Sequence, residues 1–174
     1  MKTIPIEPQF KSHDRPEGVV ADTIVLHATA GSTLAGALST LHKKGFGYHY
    51  IIDKDGKVYK GAPTTSVVAH AGVSTGPRGP GVNRHSIGIC FVNLNDGEDD
   101  ITQEQEMSCE RLVGALVAAI PTLKWITTHY AITVKRDGSY RKSDPRGIGR
   151  WLDIIARSVN ITPWKPSYAT QFSL

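Results

Sequence analysis

The run HSIGICFVNL, residues 85–94, is apolar along most of its length and reads as a strand buried on both faces. A second run, DTIVLHAT at 22–29, has strand length and the same β-branched character. Strands of this kind need covering layers on both sides of their sheet, and the segments between them supply those layers. From Thr33 to Lys44 the residues Leu34, Ala37, Leu38 and Leu41 recur at helical spacing, and Gly45 closes the segment. Thr102 and Gln105 form a capping box ahead of an apolar stripe through Cys109, Leu112, Val113, Leu116, Val117 and Ile120, ended by Pro121. A last helix is predicted from Ile148 to Val159. GYHYIIDKDGKVYKGA reads as a hairpin in which Tyr48–Asp53 and Lys57–Gly61 flank an Asp55-Gly56 turn, and WITTHYAI is predicted as a further strand. The expected fold is α/β, a single domain over residues 1–160 with a mixed central β-sheet flanked by helices. Residues 161–174, rich in proline and poor in aliphatics, are expected as a C-terminal extension packed on the surface.

A net charge of +4 and a pI near 9.1 suit an anionic partner, whether nucleic acid, a membrane surface or a cell wall. The lysines and arginines are scattered, with no basic stripe interleaved with aromatics, which argues against nucleic acid. No apolar run approaches the roughly 20 residues that cross a bilayer. The N-terminal stretch MKTIPIEPQFKSHDRPEG lacks the uninterrupted apolar core of a secretory signal, so the chain is expected in the cytoplasm of the cell that makes it, as a monomer. Two cysteines, Cys90 and Cys109, without a CxxC pair signal neither a disulfide framework nor a cysteine zinc site. Cys109 sits on an apolar helical stripe and reads as a core thiol.

Seven histidines is generous for this length, and His27 and His129 fall at the ends of predicted strands. A histidine of this kind is more often a hydrogen-bonded structural residue than a ligand. Asp144, in the Gly/Pro loop YRKSDPRGI, reads on its own window as a turn residue, since Asp before Pro commonly starts a turn. Together the three match the pattern of catalytic zinc, which takes three protein ligands and leaves one position for water. The residues alone leave both readings open.

Six stretches occur in an order that resembles the N-acetylmuramoyl-L-alanine amidases of the type-2 amidase superfamily. They are LHATAG around His27, GYHYIIDKDGKVYKG, the HAG at His70, the N-x-x-SIGI of Asn83 to Ile89, THYAIT around His129 and RKSDPRGI around Asp144. The resemblance runs from Asp22 to Arg150. The superfamily includes phage endolysins, cytosolic muropeptide-recycling amidases and animal peptidoglycan-recognition proteins. It implies one Zn2+ held by His27, His129 and Asp144. Asp144 as third ligand is similar to the recycling enzymes, whereas some phage members carry Cys there. Tyr48 and Lys142 fall on catalytic positions, where a phenol or ammonium receives charge building on the amide oxygen. His70 and Asn83 match positions that contact substrate.

Where some members carry a catalytic Glu this chain has Cys90, as phage members do. A thiol inside an apolar strand lacks the accessible, electropositive setting of a nucleophile. Strand alternation predicts that, if Tyr48 faces the metal, structural His49 points away and Tyr50 returns. His13, His42 and His85 read as surface or structural residues. The loop between His129 and Asp144 contains Asp137-Gly138, which suggests a small hairpin beside the cleft. The implied activity is hydrolysis of the lactyl–L-alanine amide of peptidoglycan by a phage endolysin that reaches the wall after release. The alternatives are a recycling amidase acting on soluble muropeptides and a non-catalytic peptidoglycan-binding module.

Overall fold

β-Branched runs with few polar interruptions become the centre of a sheet, and here that centre is parallel. The computed structural model describes residues 1–133 and 139–166. In chain order the elements are β1 (Ile4–Pro5), β2 (Ser12–Asp14), β3 (Thr23–Ala28), α1 (Leu34–Lys44), β4 (Tyr50–Ile52), β5 (Val58–Lys60), β6 (Ser66–Val68), β7 (Thr75–Gly76) and β8 (Gly79–Pro80). A single 3₁₀ turn at Val82–His85 leads into β9 (Ser86–Phe91), α2 (Gln103–Ala119), β10 (Trp125–Thr128), α3 (His129–Ile132), α4 (Gly149–Ser158) and β11 (Thr162–Pro163).

The main sheet has seven strands in the order β1-β5-β4-β9-β3-β10-β11. The β4–β5 hairpin is its antiparallel pair, and β4, β9, β3, β10 and β11 run parallel. Every residue of β3 and β9 is buried, so the reading of a doubly covered strand holds for Ser86–Phe91, while His85 ends the preceding turn and Leu94 is exposed. One face carries Ile24, Leu26, Ile87, Ile89, Phe91 and Ile126 against Cys109, Leu112 and Val113 of α2 and Leu152 and Ile155 of α4. The opposite face carries Ile51, Cys90 and Val92 under Leu34, Leu38 and Leu41 of α1, and Val25 against Ala71 and Ile132. This is the mixed, helix-flanked α/β domain expected. No helix of the described residues is long and apolar enough to cross a membrane.

Three local features depart from the sequence reading. WITTHYAI is not one strand: it stops at Thr128, whose hydroxyl accepts from the Ala131 N–H at 3.1 Å and caps a helical turn begun by His129. Tyr48 and His49 precede β4 in a bend, so period-two alternation does not reach them. Tyr48 and His49 both lie toward the histidine cluster, and Tyr50 packs in the core under α2 instead of returning to the site. Finally, Thr162–Pro163 of the expected surface extension joins the sheet as an edge strand beside β10. The Asp137-Gly138 hairpin and residues 167–174 lie outside the described residues.

The capping box carries more than its helix. Thr102 accepts from the Gln105 N–H, Gln105 Oε1 accepts from the Thr102 N–H, and the fully buried Gln105 amide also donates to the Ile52 and Val92 carbonyls at 3.0 Å each. One side chain therefore ties α2 to β4 and to the end of β9. Gln105→Ala should cost about 2–3 kcal/mol because two buried carbonyls lose a donor. Thr102→Ala, which loses only a cap, should cost about 1 kcal/mol. Urea unfolding of the two variants checks the order.

Candidate metal centre

Parallel pairing builds the site. β3 and β10 align Thr23 with Trp125 and continue to Leu26 with Thr128, so the next step of the register sets His27 beside His129. Both histidines sit at the carboxyl ends of their strands, where open α/β sheets place their ligand crevices. Asp144 arrives from the loop ahead of α4. Its carbonyl accepts from the Tyr130 N–H at 2.8 Å, and its Oδ2 lies 3.0 Å from His129 Nδ1, 3.6 Å from His27 Nδ1 and 3.4 Å from the Ala28 N–H.

The three ligand atoms fall within 4.8 Å of one another. Donors about 2.0–2.1 Å from a tetrahedral zinc stand about 3.3 Å apart, and the 3.0 and 3.6 Å separations bracket that value. His27 Nδ1 is buried and has no hydrogen-bond partner among the described residues, an expense that a bound cation would remove. Two imidazoles and one carboxylate are the donor set of catalytic zinc. The three residues therefore fit one metal ion.

The outer nitrogens are tied down. His129 Nε2 donates to the Ala71 carbonyl at 3.2 Å, and His27 Nε2 lies 2.9 Å from His70 Nδ1. Asn83 Oδ1 accepts from the His70 and Ala71 N–H groups at 3.2 and 2.8 Å, and the Arg141 guanidinium donates to the Ala71 and Val73 carbonyls at 3.3 and 2.8 Å. The structure thus places His70 and Asn83 behind the ligands, with these polar atoms turned to the protein. Ser86 and Arg141 also take part, and neither was singled out from the sequence. Ser86 was legible: it begins the SIGI motif, and alternation puts it with Gly88 and Cys90 on the metal side of β9.

Electrostatics follow burial. Burial lowers the His27 pKa to about 4, partly offset by Asp144, with His129 and Lys142 lowering it further. Burial would raise Asp144, but the His129 and His27 imidazoles beside it outweigh that and hold it well below the usual carboxylate range. Tyr48 is half-buried with its ring 4.9 Å from that of His27, and desolvation and the neighbouring Cys90 push its phenol well above its ordinary value. Cys90 is fully buried and its thiol is likewise raised, which removes it as a nucleophile. Lys142 is exposed at the rim, two residues before Asp144. His49 is structural, as expected: it lies 3.1 Å from the Ser66 carbonyl through Nε2, and its Nδ1 accepts from the Gly88 N–H.

The family model for N-acetylmuramoyl-L-alanine amidase matches residues 17–147, a span that contains every residue of this centre. The chain belongs to that family. A Rickettsia conorii protein named as an N-acetylmuramoyl-L-alanine amidase is 29% identical over 130 residues, 72% of this chain and 48% of the relative. The chain thus spans about half the length of that relative. Among solved structures, a selenomethionine derivative of AmpD matches with a TM-score of 0.69 and 19% identity, covering 92% of this chain and 94% of the other. The amidase LysC from Clostridium intestinale matches at 0.66 and 23%, covering 93% and 99%. At these identities the likeness establishes the fold of the family member.

Metal analysis should find one metal ion per chain, and His129→Ala or Asp144→Ala should bring it well below one equivalent. Stability should also depend on pH. His27, His49 and His70 all have lowered pKa values in the folded state, so the unfolded chain takes up protons near 6.5 that the native state refuses. Stability is full above that pH and is lost as pH falls toward 4. The melting temperature of chelator-treated protein should drop across that window, and His49→Gln should shallow the slope. A flat profile would contradict the buried neutral histidines.

Proposed function

We propose that this chain is a zinc-dependent N-acetylmuramoyl-L-alanine amidase that hydrolyses the lactyl–L-alanine amide of peptidoglycan. The convergence of His27, His129 and Asp144, with Tyr48 packed on His27, carries this reading. Zinc would supply a Lewis acid that polarises the amide carbonyl and acidifies water. The chain's own groups do the rest. Tyr48 stays protonated at neutral pH and can donate to the oxygen on which charge develops. In the resting site the phenol contacts Cys90, whose own Sγ–H points to the Phe91 carbonyl at 3.7 Å. Sulfur is a weak acceptor, so the phenol hydrogen passes to a stronger acceptor at little cost. Lys142 adds a positive charge at the rim. Ligation by a complete donor set argues against a module that only binds the wall.

Within this activity we read the chain as a phage endolysin. Support comes from Tyr48, from Cys90 in place of a catalytic Glu, and from a net charge of +4 suited to an anionic wall. On this reading the protein is made in the cytoplasm, acts on the wall after release, and works as a monomer. The recycling reading draws on Asp144 as third ligand and on the likeness to AmpD. Relative rates on intact sacculi and on a soluble muropeptide separate the two, with faster release from sacculi expected.

Chelation should abolish release of L-alanine amino termini and zinc should restore it; activity that survives complete metal removal would overturn the reading. Tyr48→Phe should lower kcat about a hundredfold while KM and zinc content hold, because it removes one donor to the developing charge.

A further inference from the structure

The direction of one hydroxyl hydrogen decides how His27 meets the metal. Ser86 Oγ donates to the Val82 carbonyl at 2.7 Å, which uses its only hydrogen. Its oxygen, 3.0 Å from His70 Nε2, can then only accept, so His70 carries its proton on Nε2. His70 Nδ1 is left as a lone pair and accepts from His27 Nε2 at 2.9 Å. His27 therefore holds its proton on Nε2 and turns a bare Nδ1 toward His129 and Asp144. Reversing the chain would put a proton on His27 Nδ1 and close the site to a cation.

We infer that His70, set by Ser86, is a positioning residue that fixes the tautomer and ring orientation of His27 for metal binding. Its seat is built for the purpose. A Cβ at Gly88 would come 2.8 Å from His70 Cγ, so residue 88 must lack a side chain for the ring to lie against β9. His70 is also edge-on to His27, with ring centroids 5.0 Å apart. The adjoining Ala71 carbonyl does the same for His129, and Asn83 holds both backbone amides. One dipeptide thus orients both imidazole ligands. Outer partners of this kind are worth about 10–100-fold in metal affinity.

The inference rests on the metal-centre part of the proposed function, and its tests do not require turnover. Long-range ¹H–¹⁵N NMR of the chelator-treated protein should show His27 and His70 both protonated on Nε2 alone. A proton on His27 Nδ1 would overturn the inference whatever the enzyme does. By competition with a chromogenic chelator, His70→Phe should weaken zinc binding about 10–100-fold. His70→Asn, which keeps an acceptor near the Nδ1 position, should stay closer to the parent protein. Equal losses in the two variants, or no loss in His70→Phe, would show that the ring only fills space. Failure of the parent protein to bind zinc would instead sink the metal reading, and the NMR would still decide the relay.

Discussion

The register between β3 and β10 couples the packed core on one side of the sheet to the ligands on the other. Ile24, Leu26 and Ile126 lock into the layer formed by α2 and α4, and the alternate position His27 must then face outward on the opposite side. A slip of one residue would turn the imidazole into the aliphatic layer under α2 and α4 and turn Leu26 toward the site. The metal centre therefore needs no rigid loop for two of its three ligands. Helix packing some distance away fixes them.

What remains is a problem of polar burial. His27, His49, His70, Ser86 and His129 lie in the interior at 0–6% exposure, where a charge or an unpaired donor is expensive. The fold meets this with backbone carbonyls: Ser66, Ala71 and Val82 each receive a side-chain contact from the group. The ring nitrogen left over is the one that faces the other ligands. Satisfaction of every neighbour is what makes that lone pair directional.

Strands β3, β4, β5, β9 and β10, helices α1, α2 and α4 and the capping box were legible because each rests on a short-range pattern, whereas β1, β2, β6, β7, β8 and β11, at two or three residues each, carry none. Site residues were legible only through the ordered motifs, since nothing local distinguishes His27 from a structural histidine or Asp144 from a turn residue. The errors are instructive. WITTHYAI lost its second half because Thr128 offered its hydroxyl to a helical turn, a local competition that β-propensity does not register. Alternation misplaced Tyr50 because it was counted from residues lying in a bend before the strand began. Which way the polar atoms of His70 and Asn83 turn is a property of tertiary contacts, and no local pattern carries it.

Asp144 as the third ligand has a chemical consequence of its own. A thiolate in that position would be the softest and most oxidisable group in the centre, open to conversion to a sulfenic acid by peroxide. A carboxylate has no such path, and both cysteines of the chain are sealed in the interior. The ligand set is thereby indifferent to the redox state of its surroundings, and the same centre can serve in a reducing cell interior and at an oxidising envelope.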